Sequence, residues 1–206
     1  MTTKNILNTI AGTVLSLALV SCGGKKAEHE HEAAAPAETP AATEASATTA
    51  PQHASDPEFR KQLTSVFDSY ATLKDAFVSS DAAKAKTEAT ATLGALEKVD
   101  MKLVTGAAHH DWMTYLGGMQ KSLQEISTSA DIKVQRTAFS ALSNDLYKAI
   151  KAFGLNGETA YYDFCPMAFD NKGAYWLAKE DKIKNPYFGD EMLTCGSVEE
   201  KLTINN

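Results

Sequence analysis

The chain has 206 residues and a formal net charge of −6, and 44% of its residues are hydrophobic. Once a polar stretch near the amino terminus is set aside, about 150 residues remain, the size of a single domain, which excludes a multidomain enzyme and a polytopic membrane protein. Residues 57–206 carry 17 basic and 20 acidic side chains. This part therefore has no broad basic surface, and nucleic-acid binding is not expected.

Residues 1–21 predict a lipoprotein signal peptide. Lys4 precedes an apolar stretch, from Ile6 to Val20, that is too short and too polar for a membrane-spanning helix. Residues 19–22, Leu-Val-Ser-Cys, resemble the bacterial lipobox, which implies that Cys22 is lipidated and becomes the new amino terminus. A plain signal peptide followed by an unrelated cysteine is the alternative. Several acyl chains would anchor the protein firmly in the bacterial cell envelope, facing the periplasm or the cell surface.

Residues 22–56 predict a disordered tether that is rich in alanine, proline, threonine and glutamate. Between Gly23 and Glu58 there is no leucine, isoleucine, valine, methionine or aromatic residue, so this stretch cannot build a core. His29, His31 and His53 lie within it and could collect divalent metal ions weakly, although solvated spacer residues are the simpler interpretation. We expect the folded domain to cover residues 57–206.

Four helical patterns follow the tether, because apolar residues recur three and four positions apart. The patterns cover residues 59–77, 85–103, 107–128 and 132–153. Asp81 and Asp131 predict helix starts, and Gly106 and Gly154 predict the ends of the second and fourth helices. Short links permit only antiparallel neighbours. We therefore expect an all-α fold: an up-and-down antiparallel four-helix bundle, followed by an irregular C-terminal segment with short helices packed on it.

Two histidines stand at the start of the third helical pattern. His109 lies three residues before Trp112 and so continues the inner stripe, whereas His110 points about 100° away from it. A histidine at a helix end is more often structural or merely exposed than functional. Either histidine is therefore only a candidate for one additional metal ligand.

After residue 157 the helical periodicity ends, and two cysteines occur, each near a methionine. Cys165 and Met167 flank a proline that favours extended backbone, so both side chains leave on the same side. Met192 and Cys195 are three residues apart in a predicted short helix closed by a glycine, so they share a face. If the two segments meet, two thiolates and two thioethers converge. That donor set prefers Cu(I) to harder metal ions.

A structural disulfide between Cys165 and Cys195 is the alternative, because exported proteins with two unlipidated cysteines are usually cross-linked. The methionines would then be core residues. A nucleophilic cysteine has the least support, since no histidine lies near either cysteine in the sequence. The chain also has no nucleotide-binding loop, no Ser-His-Asp arrangement and no zinc-protease helix motif, so we expect neither an enzyme nor an organic cofactor.

Aromatic residues are concentrated around the two sulfur-bearing segments. We expect them to pack around the sulfurs and against the end of the bundle, where they would keep water and oxidants away from the site. These residues are Tyr161, Tyr162, Trp176, Tyr187 and Phe188.

Four spaced blocks in the C-terminal segment carry a resemblance to a known family. The blocks are Cys165-Pro166-Met167-Ala168, Gly173-Ala174-Tyr175-Trp176-Leu177, Asn185-Pro186-Tyr187-Phe188-Gly189 and Met192-Leu193-Thr194-Cys195-Gly196. Over residues 59–198 the chain resembles a bacterial domain family of unknown function. That family occurs as secreted lipoproteins and as an appended domain on periplasmic adaptor subunits of copper/silver efflux pumps of the resistance-nodulation-division type.

This resemblance implies copper handling in the periplasm, with an efflux adaptor or another periplasmic copper protein as the partner. It raises the expectation that Cys165, Met167, Met192 and Cys195 bind Cu(I), with Ag(I) as a second candidate, for buffering or for delivery to an efflux system. It supplies no proven ligand set. The Cys-Pro-Met run is also similar to small heavy-metal-binding domains of copper pumps, but the His-Pro that follows there is replaced here by Ala168-Phe169.

Overall fold

Four long helices make up most of residues 50–203, which are the residues that the computed structural model describes. They are α1 (Pro57–Val78), α2 (Ala82–Leu96), α3 (Gly106–Thr128) and α4 (Ile132–Phe153). None of the helices in this part of the chain is long and apolar enough to cross a membrane. The predicted signal peptide, Cys22 and the tether up to residue 49 lie outside the described residues.

Carboxylate side chains begin three of these helices. Asp56, Asp81 and Asp131 each accept a hydrogen bond, of 2.7 or 2.8 Å, from a backbone N–H two or three residues further on. These bonds satisfy N–H groups that have no partner in the first turn of a helix. Gly154 ends α4 in the left-handed region, with φ 80°, as C-terminal glycines commonly do. The predicted helix starts at residues 81 and 131 and the predicted end at residue 154 are confirmed.

The second helix is shorter than its pattern predicted. It ends at Leu96 instead of continuing to residue 103, and a separate 3₁₀ turn covers Met101–Leu103. The backbone N–H of Asp100 donates to the side chain of Gln62 on α1 (2.8 Å), and its carboxylate caps the 3₁₀ turn. Such local side-chain bonds compete with the helical ladder. Gly106 then begins α3 rather than ending the preceding helix.

The apolar stripes of the helices face one another and form the core of a helical bundle. The Phe59 ring lies 5.0 Å, centroid to centroid, from both Trp112 and Phe153, and Phe77 lies 4.7 Å from Phe139. All five side chains have no measurable exposure to solvent. The start of α1 therefore packs on the end of α4, and the end of α1 packs on the start of α4, so that these two helices are antiparallel.

The C-terminal part contains a small antiparallel sheet that the sequence analysis did not predict, so the fold is not purely all-α. The predicted irregular segment with short helices is found only between the strands. The strands are β1 (Thr159–Cys165), β2 (Ala174–Ala178) and β3 (Ser197–Thr203), in the order β2-β1-β3. β1 is rich in aromatic residues, which favour strands over helices. A single turn at Ala168–Asn171, with left-handed φ values at its last three residues, joins β1 to β2.

Hydrogen bonds and stacked rings fasten this sheet to α1 and α4. The hydroxyl of Tyr70, on α1, accepts a 3.1 Å bond from the backbone N–H of Leu177 in β2. Tyr162 of β1 donates its hydroxyl to Asn144 of α4 at 3.0 Å and stacks on the ring of Tyr147, with centroids 3.8 Å apart. The sheet thus lies against the two helices that carry the strongest apolar stripes.

The folded part begins before the predicted boundary at residue 57. The backbone N–H of His53 donates to the carbonyl of Ala152 at 2.9 Å, and its imidazole Nε2 lies 2.8 Å from the Asp111 carboxylate. The same ring packs on Phe153, with centroids 5.3 Å apart. His53, assigned to the tether by its sequence context, is therefore part of the packed end of the bundle.

Candidate functional site

The structure brings together the two cysteines that the sequence analysis paired. Cys165 is the last residue of β1 and is fully buried, and its sulfur lies 2.6 Å from that of Cys195, on the loop before β3. Neither is in a disulfide in this structure. Cys195 is partly exposed, so one residue of the pair reaches the surface and the other lies in the core.

The environment of Cys195 favours its neutral thiol. Burial and the adjacent Cys165 thiol raise the pKa of Cys195 to about 11, while the backbone N–H of Met167 acts in the opposite direction. The thiolate is the form that binds metal ions. Metal binding at this pair must therefore displace protons, because the thiol of Cys195 holds its proton at neutral pH.

The two methionines are placed differently from each other. Met167 leaves 46% of its side chain exposed, and the group it directs at Cys195 is its backbone N–H. Met192 is half-buried, and its carbonyl accepts a 3.0 Å bond from the N–H of Cys195. The predicted helix across residues 192–195 is wrong: the 3₁₀ turn covers Gly189–Glu191, and Met192 has left the helical conformation.

The two candidate histidines lie at the other end of the bundle. His109 is partly buried and His110 is exposed in the first turns of α3, where Trp112 packs on Phe153 near the end of α4. The sulfur pair instead lies close to Tyr187, whose ring packs on Phe139, 14 residues earlier in α4. Since 14 helical residues span about 21 Å, neither histidine belongs to the sulfur site.

Two of the five predicted aromatic residues flank the sulfurs. Trp176 is fully buried and lies so close to Gly196, next to Cys195, that a methyl group there would approach its ring to 2.8 Å. Tyr187 packs on Trp176, with ring centroids 5.9 Å apart, and the Cys165 thiol adds to burial in raising the pKa of its phenol. These two rings form the inner wall of the site.

The other three predicted aromatic residues do not flank the sulfurs. Tyr162 points to the opposite face of β1 from Cys165 and stacks between Tyr147 and Tyr175. Tyr161 is partly exposed under the ammonium group of Lys201, 5.7 Å from its ring centroid. Phe188 is half-buried, and its backbone N–H donates to Asn185. For these three, fastening the C-terminal part to itself and to α4 is the observed role.

The loop that carries Cys195 is held by a buried asparagine. The side-chain amide of Asn185 donates to the carbonyl of Cys195 at 2.7 Å, and its side-chain oxygen accepts from the N–H groups of Tyr187 (2.8 Å) and Phe188 (3.2 Å). Its own backbone N–H donates to the Leu193 carbonyl at 2.8 Å. Asn185 has no exposure to solvent, so one residue ties both ends of this loop together.

An arginine from the bundle holds the first part of the same loop. Arg136, on α4, donates from Nε to the carbonyl of Pro186 at 2.9 Å, and its terminal nitrogen reaches Phe77 and Ser80 at the end of α1. Gly189 completes the contact, because a side chain there would meet the Val78 carbonyl at 2.8 Å. The loop is thus fixed to the junction of α1 and α4.

A buried carboxyl group lies two residues from Cys165 on the same face of β1. Asp163 has no exposure to solvent, and neither of its oxygens has a hydrogen-bond partner in the described part of the chain. Burial raises its pKa to about 7, although Lys74 and the nearby indole N–H of Trp176 favour the ionised form. That indole N–H is not aligned for a hydrogen bond, since it too has no acceptor.

Sequence reasoning missed Asn185, Arg136 and Asp163. Asn185 stood within a block that carried the family resemblance but had no assigned role, and Arg136 lies inside the fourth helical pattern. An asparagine before a proline is a common turn signal, and an aspartate inside the run Tyr161–Cys165 interrupts an otherwise apolar strand. Asn185 and Asp163 could therefore have been singled out from the sequence. Arg136 could not, because its partners lie 50 and 59 residues away in the chain.

The donor set at the site is small. Within residues 50–203, no group of three or more histidine, cysteine, aspartate or glutamate side chains is placed to hold a metal ion. What the geometry offers is two sulfurs from distant segments, open to solvent at Cys195 and closed by aromatic rings behind. Two such sulfurs can form a disulfide with each other, or they can bind a soft metal ion of low coordination number.

The helical part of the chain is similar to an uncharacterised family. A family model described as "Protein of unknown function (DUF3347)" matches residues 66–158. No curated protein and no solved structure matches the chain. The matched region covers most of the bundle and ends just before β1, so it does not include the two cysteines.

Proposed function

We propose that this protein is a lipid-anchored Cu(I)-binding protein of the bacterial cell envelope. The observation that carries the proposal is the meeting of Cys165 and Cys195 from segments 30 residues apart, with one sulfur open to solvent. Thiolates are soft ligands that match a polarizable monovalent cation such as Cu(I) or Ag(I). Neither imidazole nor carboxylate joins the pair within residues 50–203, which argues against a harder ion such as Zn(II).

In this proposal the two thiolates provide most of the affinity, and the methionines adjust it. Two metal–sulfur bonds of about 2.3 Å separate two sulfurs by up to about 4.6 Å, whereas the sulfurs here are 2.6 Å apart. The two sulfurs therefore have to separate when the ion enters, which requires the loop that carries Cys195 to move outward. Met167 is exposed, and its backbone N–H lies next to Cys195, which suits a weaker ligand.

The same contact favours a second candidate, a disulfide between Cys165 and Cys195. Disulfide formation requires two sulfurs that can approach to about 2.05 Å, and a pair already in contact needs little rearrangement. In that case the bond would fasten the loop before β3 to the end of β1. The protein would then be a structural or partner-binding lipoprotein domain rather than a copper protein.

The proposed cellular role is copper buffering or delivery of Cu(I) to an efflux adaptor or another periplasmic copper protein. It depends on lipidation at Cys22 and on a tether, both of which are sequence predictions for residues outside the described part. A tethered carrier meets a membrane-bound partner at raised effective concentration without a tight interface. Cys22→Ala tests this arrangement, since it should release the protein from the membrane fraction while leaving metal binding unchanged.

A competition titration against a colourimetric Cu(I) chelator tests the central proposal on fully reduced protein. The wild type should take one Cu(I) from the chelator, and the Cys165→Ser and Cys195→Ser variants should not. Met167→Leu should weaken binding by several-fold. Met113→Leu, a matched change at a methionine of similar exposure on α3, should leave the affinity as it is.

The same protein distinguishes the two candidates. A thiol titration of freshly exported protein, before any reductant is added, counts free Cys165 and Cys195. Two reactive thiols together with Cu(I) binding support the copper proposal. No free thiol, together with unchanged Cu(I) affinity in the Cys165→Ser and Cys195→Ser double variant of reduced protein, would end the copper proposal and leave the disulfide.

A further inference from the structure

The loop from residue 183 to residue 196 is organised around one side chain, Asn185. Its amide and backbone make four hydrogen bonds of 2.7–3.2 Å within the loop, to Leu193, Cys195, Tyr187 and Phe188. A fifth, at 3.1 Å, joins its carbonyl to the N–H of Gly189. Every polar group of this residue is therefore used inside the loop, and none contacts a sulfur.

The bond to the Cys195 carbonyl has a direct geometric consequence for the sulfur pair. Cys165 is fixed by the β1 ladder, where it pairs with Ala174. Cys195 lies two residues before Ser197, which pairs with Phe164 of β1, and its own backbone is held by the turn to Met192 and by Asn185. The buried side-chain amide makes three hydrogen bonds, and losing the one to Cys195 leaves its NH2 group without an acceptor.

We propose that Asn185 is a positioning residue that sets the distance between the sulfurs of Cys195 and Cys165. This inference rests on the proposed use of that sulfur pair as the functional site, but it holds for a disulfide as well as for bound Cu(I). Asn185 carries no ionisable group, so its effect is geometric. Without its amide donor, the Cys195 carbonyl is released and the two sulfurs separate.

Equilibrium with glutathione measures this positioning without copper. In the exchange, the two protein thiols lose two electrons and two protons and form the Cys165–Cys195 bond, while one glutathione disulfide is reduced to two glutathione thiols. The equilibrium constant reports how well the fold holds the two sulfurs together. A residue that merely stabilises the fold affects the reduced and oxidised forms equally and leaves that constant unchanged.

The variant Asn185→Asp keeps the shape and the acceptor atoms but loses the amide donor to Cys195. Because it also introduces a carboxyl group, the uncharged variant Asn185→Ala must shift the constant in the same direction. Its matched control is Gln135→Glu: Gln135 is equally buried, and its amide donates to the carbonyls of Ala82, Ile126 and Ser129, none of which lies in the loop from residue 183 to residue 196. Each change is made in the full chain with Cys22→Ala, so that two cysteines react. Asn185→Ala provides a second variant if Asn185→Asp does not fold.

We expect Asn185→Asp to lower the glutathione equilibrium constant by about tenfold or more, whereas Gln135→Glu lowers the melting temperature and changes the constant less than twofold. A lower melting temperature with an unchanged constant in both Asn185 variants would overturn the proposal. The outcome is separate from that of the copper titration. If wild-type protein binds no Cu(I) but Asn185→Asp still shifts the constant, the copper proposal fails and the positioning role stands.

Discussion

The helical bundle and the C-terminal sheet are held together in different ways. In the bundle, stability comes from many equivalent apolar contacts, such as the cluster of Phe59, Trp112 and Phe153 at one end. In the C-terminal part, a few polar groups have specific partners, as Asn185 has with Cys195 and Arg136 has with Pro186. Repeated contacts produce a pattern in the sequence, and single contacts do not.

This difference separates what supports the fold from what shapes the site. The bundle tolerates exchange among apolar residues of similar volume, so it can keep its shape while its sequence changes. The geometry of the Cys165–Cys195 pair depends instead on a loop that is held by a few single contacts, such as those of Asn185 and Arg136. Substitutions in the two regions should therefore have effects of different size and kind.

The largest effect should come from the bundle. Trp112→Ala removes a fully buried ring that touches both Phe59 and Phe153, and replacing a buried tryptophan by alanine costs about 3–5 kcal/mol of the free energy of unfolding. Chemical denaturation of the reduced, metal-free protein measures this loss. The folded fraction should still bring the two cysteines together, because no side chain of the loop is altered.

The neighbouring exposed residue supplies the control for this change. Met113→Ala, 41% exposed on α3, should change the free energy of unfolding by less than about 0.5 kcal/mol. A loss below 1 kcal/mol, roughly, for Trp112→Ala would mean that the bundle does not depend on this aromatic cluster. Repeated apolar contacts would then not be the main source of stability in the bundle.

The bundle could be predicted from the sequence because each helix repeats its signal. Five or six apolar residues at spacings of three and four mark each stripe, and Asp81, Asp131 and Gly154 mark ends that the structure confirms. Where the stripe was weak, the prediction was wrong: α2 is rich in alanine and threonine and stops at Leu96. The next seven residues, 97–103, were predicted as helix but lie outside α2, where the hydrogen bonds of Asp100 shape a 3₁₀ turn instead.

The site could be predicted only in its chemistry. Two cysteines outside the lipobox, each near a methionine, were sufficient to identify the sulfur pair. The sheet was missed because the short run Tyr161–Cys165 lacks a clean alternation of apolar and polar residues, so its aromatic content was interpreted as an irregular shell around the sulfurs. The hydrogen bonds of Asn185, Arg136 and Tyr70 are tertiary contacts, and no local spacing of residues in the sequence predicts them.

A second prediction concerns the buried carboxyl group beside the site. Burial raises the pKa of Asp163 to about 7 from 3.8, so the native state binds a proton that the unfolded chain has released. The associated stability is fully present below about pH 4 and is lost as the pH rises to about 7. Asp163→Asn is uncharged throughout, so its free energy of unfolding should exceed that of the wild type by about 2–4 kcal/mol at pH 8.

Denaturation curves of metal-free, reduced protein at pH 4.5 and at pH 8 measure this difference. The two proteins should be much closer in stability at the lower pH, where Asp163 is protonated in the native state. Asp181→Asn, at an exposed position of the same region, should show no such pH dependence. If Asp163→Asn is less stable than the wild type at pH 8, the carboxylate has a stabilising partner, with Lys74 of α1 as the first candidate.

A third prediction breaks the link between the two regions. Tyr70→Phe removes the hydroxyl that accepts from the Leu177 N–H and bonds with Ser143 at 2.6 Å, leaving a buried N–H without an acceptor. Such a loss costs about 1–3 kcal/mol. Hydrogen exchange at Leu177 should accelerate more than exchange within α3. Tyr115→Phe, at a half-buried tyrosine on α3, is the control. It should leave hydrogen exchange at Leu177 and the free energy of unfolding unchanged.

The smallest effect is expected where the chain preceding α1 joins the bundle. His53 and Asp111 are 2.8 Å apart, with 20% and 39% of their side chains exposed, and such a pair contributes up to about 1 kcal/mol when the imidazole is protonated. Asp111→Asn keeps an oxygen that can accept from the imidazole and removes only the charge, so it should lower the free energy of unfolding by less than 1 kcal/mol, roughly. Measured with the imidazole protonated, this loss should shrink in 1 M salt. Glu180→Gln, which removes the charge of a more exposed pair with Lys184, should have a smaller effect still. A loss above 2 kcal/mol, roughly, that salt does not reduce would show that this segment is held as tightly as the bundle core and belongs to it.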